Sequence, residues 1–145
     1  MPDALERFDE SARDAVSRGL EETRTLHLTA MPSINLLIGL QLQLGEEEKF
    51  LREEGLTIDL VRRHRDSMFR VNYRMKKPEV VGFAPITSEV FDIARKEAGD
   101  REVTSRELLL AIFRKHGGVA AQIIIGLGKT PDKLYSKLLM QPVAS

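Results

Sequence analysis

Cysteine is absent from the 145 residues. That excludes disulfides and thiolate metal sites, and it suits a reducing compartment. An excess of one charge is absent too: 22 basic and 22 acidic residues cancel, which removes any global pull toward nucleic acid or an anionic membrane. Long apolar runs are missing, since no stretch approaches the roughly 20 residues that span a bilayer. The opening Met1 to Arg7 holds no apolar signal core. A soluble, cytoplasmic chain is expected. Its length fits a single domain, 1–145, large enough to bury a core.

What is present is helical periodicity. Ala12, Ala15, Val16, Leu20 and Thr23 fall on one face of a first helix. Pro32 or Ser33 opens a second, apolar almost all round from Ile34 to Leu44, as a buried central helix is. Glu46 to Glu54 forms a short third helix with Phe50 and Leu51 inward, stopped at Gly55, because glycine reaches the left-handed conformation without steric cost. Leu60, Val61, His64 and Met68 mark the inner face of a fourth. No strand is expected.

The order then repeats. Thr87 or Ser88 is placed as the cap of a helix bearing Val90, Ile93 and Ala94. Thr104 to Glu107 has capping-box spacing, in which the hydroxyl accepts from a free backbone N–H and the Glu reaches back. Leu108, Leu109, Ile112 and Phe113 form a buried face behind it. Val119 to Leu127 is another short helix, stopped by Gly128, and Thr130-Pro131 opens the last, with Leu134, Leu138 and Leu139 inward. Leu36-Leu37 answers Leu108-Leu109, Phe50-Leu51 answers Ile123-Ile124, and Gly55 answers Gly128. Repeat one covers about 5–69, a joint about 70–82 and repeat two about 83–140. A duplicated helical unit of this size points to protein binding.

Several segments carry a further resemblance. They are Leu5-Glu6-Arg7-Phe8 with Ala12-Arg13, Phe83-Ala84-Pro85, Leu36 to Leu40, Leu108 to Ile112, Gly118 to Gln122 and Leu127-Gly128. In order and spacing they resemble the Clp N-terminal repeat domain of the Clp AAA+ unfoldases, particularly the C-type. The resemblance covers about 5–63 and 83–140. It implies an all-α fold of two four-helix repeats about a pseudo-twofold axis. It also implies a domain with no catalytic activity and no cofactor, which receives substrates and adaptor proteins for the Clp machine.

Three departures stand out. Pro32 to Asn35 and Thr104 to Glu107 replace the family's Gly-Thr-Glu-His helix start, so Ile34 and Arg106 occupy its Glu positions. In some C-type members that Glu helps hold phosphorylated arginine. The second repeat is shortened between Ala98 and Val103. No ATPase module follows, so a stand-alone, divergent member is expected. Phe8 and Phe83, at equivalent repeat openings and flanked by Leu5 and Pro85, are the candidate partner-binding residues. The competing reading is that both phenylalanines plug the core between the repeats.

Other signals point elsewhere. Arg62, Arg63, Arg65, Arg70, Arg74, Lys76 and Lys77, with Phe69 and Tyr73 among them, offer the alternative of a nucleic-acid-binding regulator. Gly126 to Thr130 ends like a P-loop, but Ile123 stands where the leading glycine belongs, which leaves a helix stop followed by a helix start. His27, His64 and His116 lack metal-motif spacing; His64 is expected in the core and the other two at helix ends. Met31, Met68, Met75 and Met140 are expected to fill gaps in packing.

Overall fold

A computed structural model describes residues 3–71 and 73–142. Eight helices follow in order: α1 Glu10–Thr25, α2 Ser33–Leu42, α3 Glu46–Glu53, α4 Ile58–Met68, α5 Pro85–Ala98, α6 Ser105–Arg114, α7 Val119–Gly126 and α8 Pro131–Met140. The expected all-α fold of two four-helix repeats is what forms. Residues Ser33 to Gln41 of α2 are all buried, so this helix is the axis on which the others pack.

The repeats agree position by position. Ala12, Ala15, Val16, Gly19 and Thr23 are buried on α1; Thr87, Val90, Phe91, Ala94 and Ala98 are buried at the same spacing on α5. Val61 and Arg65 on α4 answer Leu134 and Leu138 on α8. Gly55 and Gly128 both stop a short helix at φ +84°.

Two short strands correct the strand-free expectation. β1 Ala30–Met31 pairs in parallel with β2 Gly82–Phe83, and Phe8 bridges Val103 in the same sense. The Gly82 N–H donates to the Thr29 carbonyl at 2.9 Å and the Ala84 N–H to Met31 at 3.1 Å. Likewise the Val103 N–H donates to Arg7 at 2.7 Å and the Asp9 N–H to Val103 at 2.8 Å. Each repeat's opening thus lies beside the segment that leads into the second helix of the other repeat. Pairings this short have no periodicity for a sequence to display.

Several caps also differ from expectation. Helix α5 starts at Pro85, and the Thr87 hydroxyl donates instead to the Met31 carbonyl at 2.7 Å. The Thr104 capping box does not close. Its hydroxyl donates to Glu107 Oε2 at 2.8 Å, and the Ser105 N–H finds Ser11 Oγ at 3.0 Å across the repeats. Thr130 and Pro131 do open α8, and the Lys129 N–H returns to the Ile124 carbonyl, so the P-loop-like run is a helix stop followed by a helix start. Leu60, Met68 and Leu139 are substantially exposed rather than inward, and of Met31, Met68, Met75 and Met140 only Met31 is buried.

The buried residue on α4 beside Val61 is Arg65, 4% exposed. Its guanidinium is held by Glu22 Oε2 at 2.6 Å, Asn35 Oδ1 at 3.1 Å and Asp66 Oδ1 at 2.9 Å. Asn35 in turn donates to Thr23 Oγ1, which donates to the Gly19 carbonyl. A buried charge costs several kcal/mol, on the order of 3–5, if its partner is lost, so full bonding is what permits an inward arginine. Periodicity counts apolar residues and therefore missed it.

Among the described residues no single helix is long and apolar enough to cross a membrane; α6 and α7 reach that length only as a pair bent by 76°.

The crossing of α1 and α2 depends on two glycines. A Cβ on Gly39 would overlap the Ala15 carbonyl oxygen and stand 2.9 Å from the Gly19 nitrogen; one on Gly19 would stand 2.8 Å from the Asn35 carbonyl oxygen. Helix propensity favours Ala over Gly by about 1 kcal/mol, whereas overpacking against rigid backbone costs about 1–3 kcal/mol or more. Gly39→Ala is therefore expected to lower stability in urea unfolding, and a gain would show that the helices separate freely. A second expectation concerns Glu22. Burial raises its carboxyl pKa, but hydrogen bonds from Arg62 and Arg65 outweigh that and hold it below the ordinary 4.5. The unfolded chain binds the proton more tightly, so this stabilisation is complete above about pH 4.5 and is lost as pH falls through the depressed folded value. Thermal melts of Glu22→Gln should show a flatter decline in acid than wild type; parallel curves would place the acid sensitivity elsewhere.

Candidate functional site

The two opening phenylalanines are brought together by a third. Phe91, on the buried face of α5, meets the Phe8 ring edge-to-face at 5.3 Å and 85°, and the Phe83 ring at 5.0 Å and 84°. Edge-to-face pairs align the positive ring edge with a negative face and add about 0.5–1.5 kcal/mol beyond area burial. The sequence reading passed over Phe91. The signal was there: counting from Phe8 and Phe83 places Phe91 at the position of Val16, a residue already assigned to the inner face of α1.

Burial separates the candidates. Phe8 is 3% exposed, so its ring is core. Phe83 is half-buried, Leu5 is half-buried against the core, and Pro85 is exposed at the first position of α5. Arginines fasten the segment around Phe8. Arg13 donates to the Phe8 carbonyl at 3.0 Å and to Leu5 at 3.1 Å; Arg95 donates to the Ala4 carbonyl and lies over the Phe8 ring at 5.2 Å; Arg7 reaches the Gly99 carbonyl and, at 2.7 Å, that of Arg101. Phe83 is therefore the accessible member of an aromatic cluster whose interior is Phe8 and Phe91, with Leu5 and Pro85 close to these rings in the chain.

The basic segment is partly consumed. Arg62 and Arg65 both bind Glu22, while Arg63, Arg70, Lys76 and Lys77 are exposed. Glu22 thus answers Arg62 and Arg65, and the exposed Arg63, Arg70, Lys76 and Lys77 stay at the surface. The linker is pinned to the end of α1 by His27, whose Nδ1 lies 2.6 Å from the Met75 carbonyl and whose ring meets Tyr73 edge-on at 5.4 Å. His64 is not in the core: it is half-exposed, with its ring set against Gly126 where any Cβ would collide. His116 pairs with Asp132 in the first turn of α8 at 3.1 Å. Among the described residues no three His, Asp or Glu side chains converge to hold a metal ion.

A cleft of about 480 Å³ runs between Ser11 and Asp14 of α1, the start of α3, and Thr104 to Arg106. Arg106 turns its guanidinium to the Leu138 and Leu139 carbonyls at 3.0 and 3.2 Å, satisfying the end of α8. Ile34 is wholly buried. Neither position presents a carboxylate.

Comparison with known proteins follows from this geometry. The N-terminal domain of the chaperone ClpD from Arabidopsis thaliana superposes with a TM-score of 0.75, over 93% of this chain and 94% of that one, at 21% identity. Its fold is that of a Clp N-terminal domain. The ClpV N-domain in complex with a VipB peptide superposes at a TM-score of 0.66 over 94% and 88% of the two chains, at 14% identity. In sequence, the chain is similar to the chloroplastic chaperone ClpC of Pisum sativum, 26% identical over 147 aligned residues. That alignment takes in 96% of this chain but spans only 16% of the relative's length. No family model matches the chain.

Truncations should rank by burial. Phe91→Ala and Phe8→Ala are each expected to cost about 3–5 kcal/mol, the range for removing a buried phenyl ring. Phe83→Ala should cost clearly less in the same unfolding measurement. Equal losses for all three would mean that Phe83 is as deeply held as its neighbours.

Proposed function

We propose that this chain is a non-catalytic protein-docking module of the Clp proteolysis system. It binds substrates, adaptors or a part of the Clp machine and so modulates which proteins are degraded. The observation that carries the reading is the half-buried Phe83 ring against the buried Phe8–Phe91 pair, with Leu5 and Pro85 flanking it in the chain, in a fold shared over nearly its whole length with Clp N-domains. A half-buried aromatic is a favourable anchor, because its ring is already ordered and loses little entropy when a partner covers it. The ClpV N-domain, seen with a peptide bound, supports the assignment of protein partners.

The chemistry expected of the ligand is a short apolar segment that buries the Phe83 ring and packs on Pro85. Truncating a central aromatic of such an interface costs about 2 kcal/mol or more, which is about thirtyfold in affinity.

The test is affinity capture from lysate of the source cell, read by mass spectrometry, with wild type beside Phe83→Ala and Leu5→Ala. Phe8→Ala is excluded as a probe, since its deep burial confounds docking with folding. Recovery of Clp unfoldase or protease subunits, reduced at least about tenfold with folded Phe83→Ala, is the expected outcome. Capture that is indifferent to Phe83 and Leu5, or that contains no Clp component, would overturn the reading.

A further inference from the structure

The chain is neutral as a whole, yet two oppositely charged surfaces lie at opposite ends of α1. Residues 70–80 hold four basic residues against one acidic, and residues 46–54 hold five acidic against two basic. The basic segment is a strap tied to the C-terminal end of α1: Arg24 donates to the Pro78 carbonyl at 3.0 Å and His27 to that of Met75. The acidic segment is anchored at the other end. There the Gln43 amide, just ahead of α3, donates to the Ser11 carbonyl at 2.7 Å and to Asp14 at 3.0 Å. A helix of 16 residues is about 24 Å long, so the two surfaces are too far apart to pair within one molecule.

Each surface combines free charge with exposed apolar side chains. On the strap, Arg70, Lys76 and Lys77 are exposed and form no ion pair among the described residues; Tyr73 and Met75 beside them are 77% and 60% exposed. At the start of α3, Glu46 and Glu47 likewise form no ion pair among the described residues, whereas Glu48 is taken by Arg52 and Glu54 by Lys137. Leu44, just before them, is 78% exposed. It precedes the cap Gly45 as Gly117 precedes the cap Gly118 in the second repeat, and both residues have positive φ. Glycine suits that turn better, so the turn itself gives no reason for an exposed leucine.

We propose that these surfaces are the two halves of a self-association contact, in which the strap of one molecule receives the start of α3 of a second copy. Lys76 and Lys77 meet Glu46 and Glu47, and Leu44 covers Tyr73 and Met75. A small apolar centre inside a charged rim is the usual anatomy of such a contact. Opposite charge steers strap to helix, and like charge opposes strap-to-strap and helix-to-helix pairing. The minority charges, Glu79 on the strap and Lys49 on α3, are also of opposite sign. Because each molecule contributes a different patch, the contact is head-to-tail and leaves an unused surface at either end for further copies. Neither surface includes Phe83 or Pro85, so the inference does not rest on the docking reading above.

The test is sedimentation velocity over a range of protein concentrations. Wild type should associate at about 0.01 M salt, where the Debye length is about 30 Å, and dissociate at about 1 M, where it is about 3 Å. Lys76→Glu/Lys77→Glu and Glu46→Lys/Glu47→Lys should each weaken association at least about tenfold. An equimolar mixture of the two should restore it, because the intact strap of one then meets the intact α3 of the other. Thermal melts check that each variant folds. If lysines at the start of α3 unfold that variant, Leu44→Gly takes its place; it keeps the turn and should weaken association severalfold. A wild type that stays monomeric up to about 1 mM at low salt overturns the proposal. So does association that persists at about 1 M salt, or a mixture that associates no better than its components. A monomer that instead binds a single-stranded oligonucleotide through Lys76 and Lys77 overturns it in favour of the nucleic-acid reading.

Discussion

The exchange of backbone hydrogen bonds between the repeats is the constraint on which the rest of the molecule depends. Residues 7–9 pair with Val103, and residues 82–84 pair with the segment 29–31. Each pairing is only a bridge or two long, yet each fixes where a first helix starts relative to the other repeat's second helix. With those starts set, α1 lies against α2 and α5 against α6, and Phe91 is brought between Phe8 and Phe83. Side chains lock the arrangement: Thr87 bonds Met31, the Ser105 N–H bonds Ser11, and the Ala120 N–H bonds Ser33 at 3.1 Å. Most of these bonds cross from one repeat to the other, so neither four-helix unit satisfies its own polar groups alone.

Within that frame the two halves solve similar packing problems with different chemistry. The first half inserts a charged side chain, Arg65, and surrounds it with acceptors. The second half places Leu138 at the same point and leaves Glu107 short of a donor. The first half brings α1 and α2 together through Gly19 and Gly39; the second has Ala94 and Ala111 at the corresponding positions. Duplication preserved the positions that must be small or inward, and allowed divergence in what satisfies them.

Much of the fold was legible in the sequence because long amphipathic helices advertise themselves. The order of the eight helices, the stops at Gly55 and Gly128, and the start at Pro131 follow from periodicity and from the backbone preferences of glycine and proline. What was not legible has a common cause. Arg65, the Ser105 N–H and the short strand pairings are decided by partners far away in the chain, and local pattern carries no record of them. Phe91 is different: comparing the repeats residue by residue would have found it. Of the candidate site, the equivalence of Phe8 and Phe83 was visible, whereas their unequal burial was not.

The bridge between Arg7, Asp9 and Val103 also has a bearing on synthesis. A ribosome releases the N-terminal segment first, but the backbone groups that hold it are made much later. Until Val103 emerges, the start of α1 has no register to adopt and the Phe8 ring has no Phe91 to cover it. This segment is thus made well before the groups that fix its place, and the nascent first half carries an unsealed apolar end until the second half arrives.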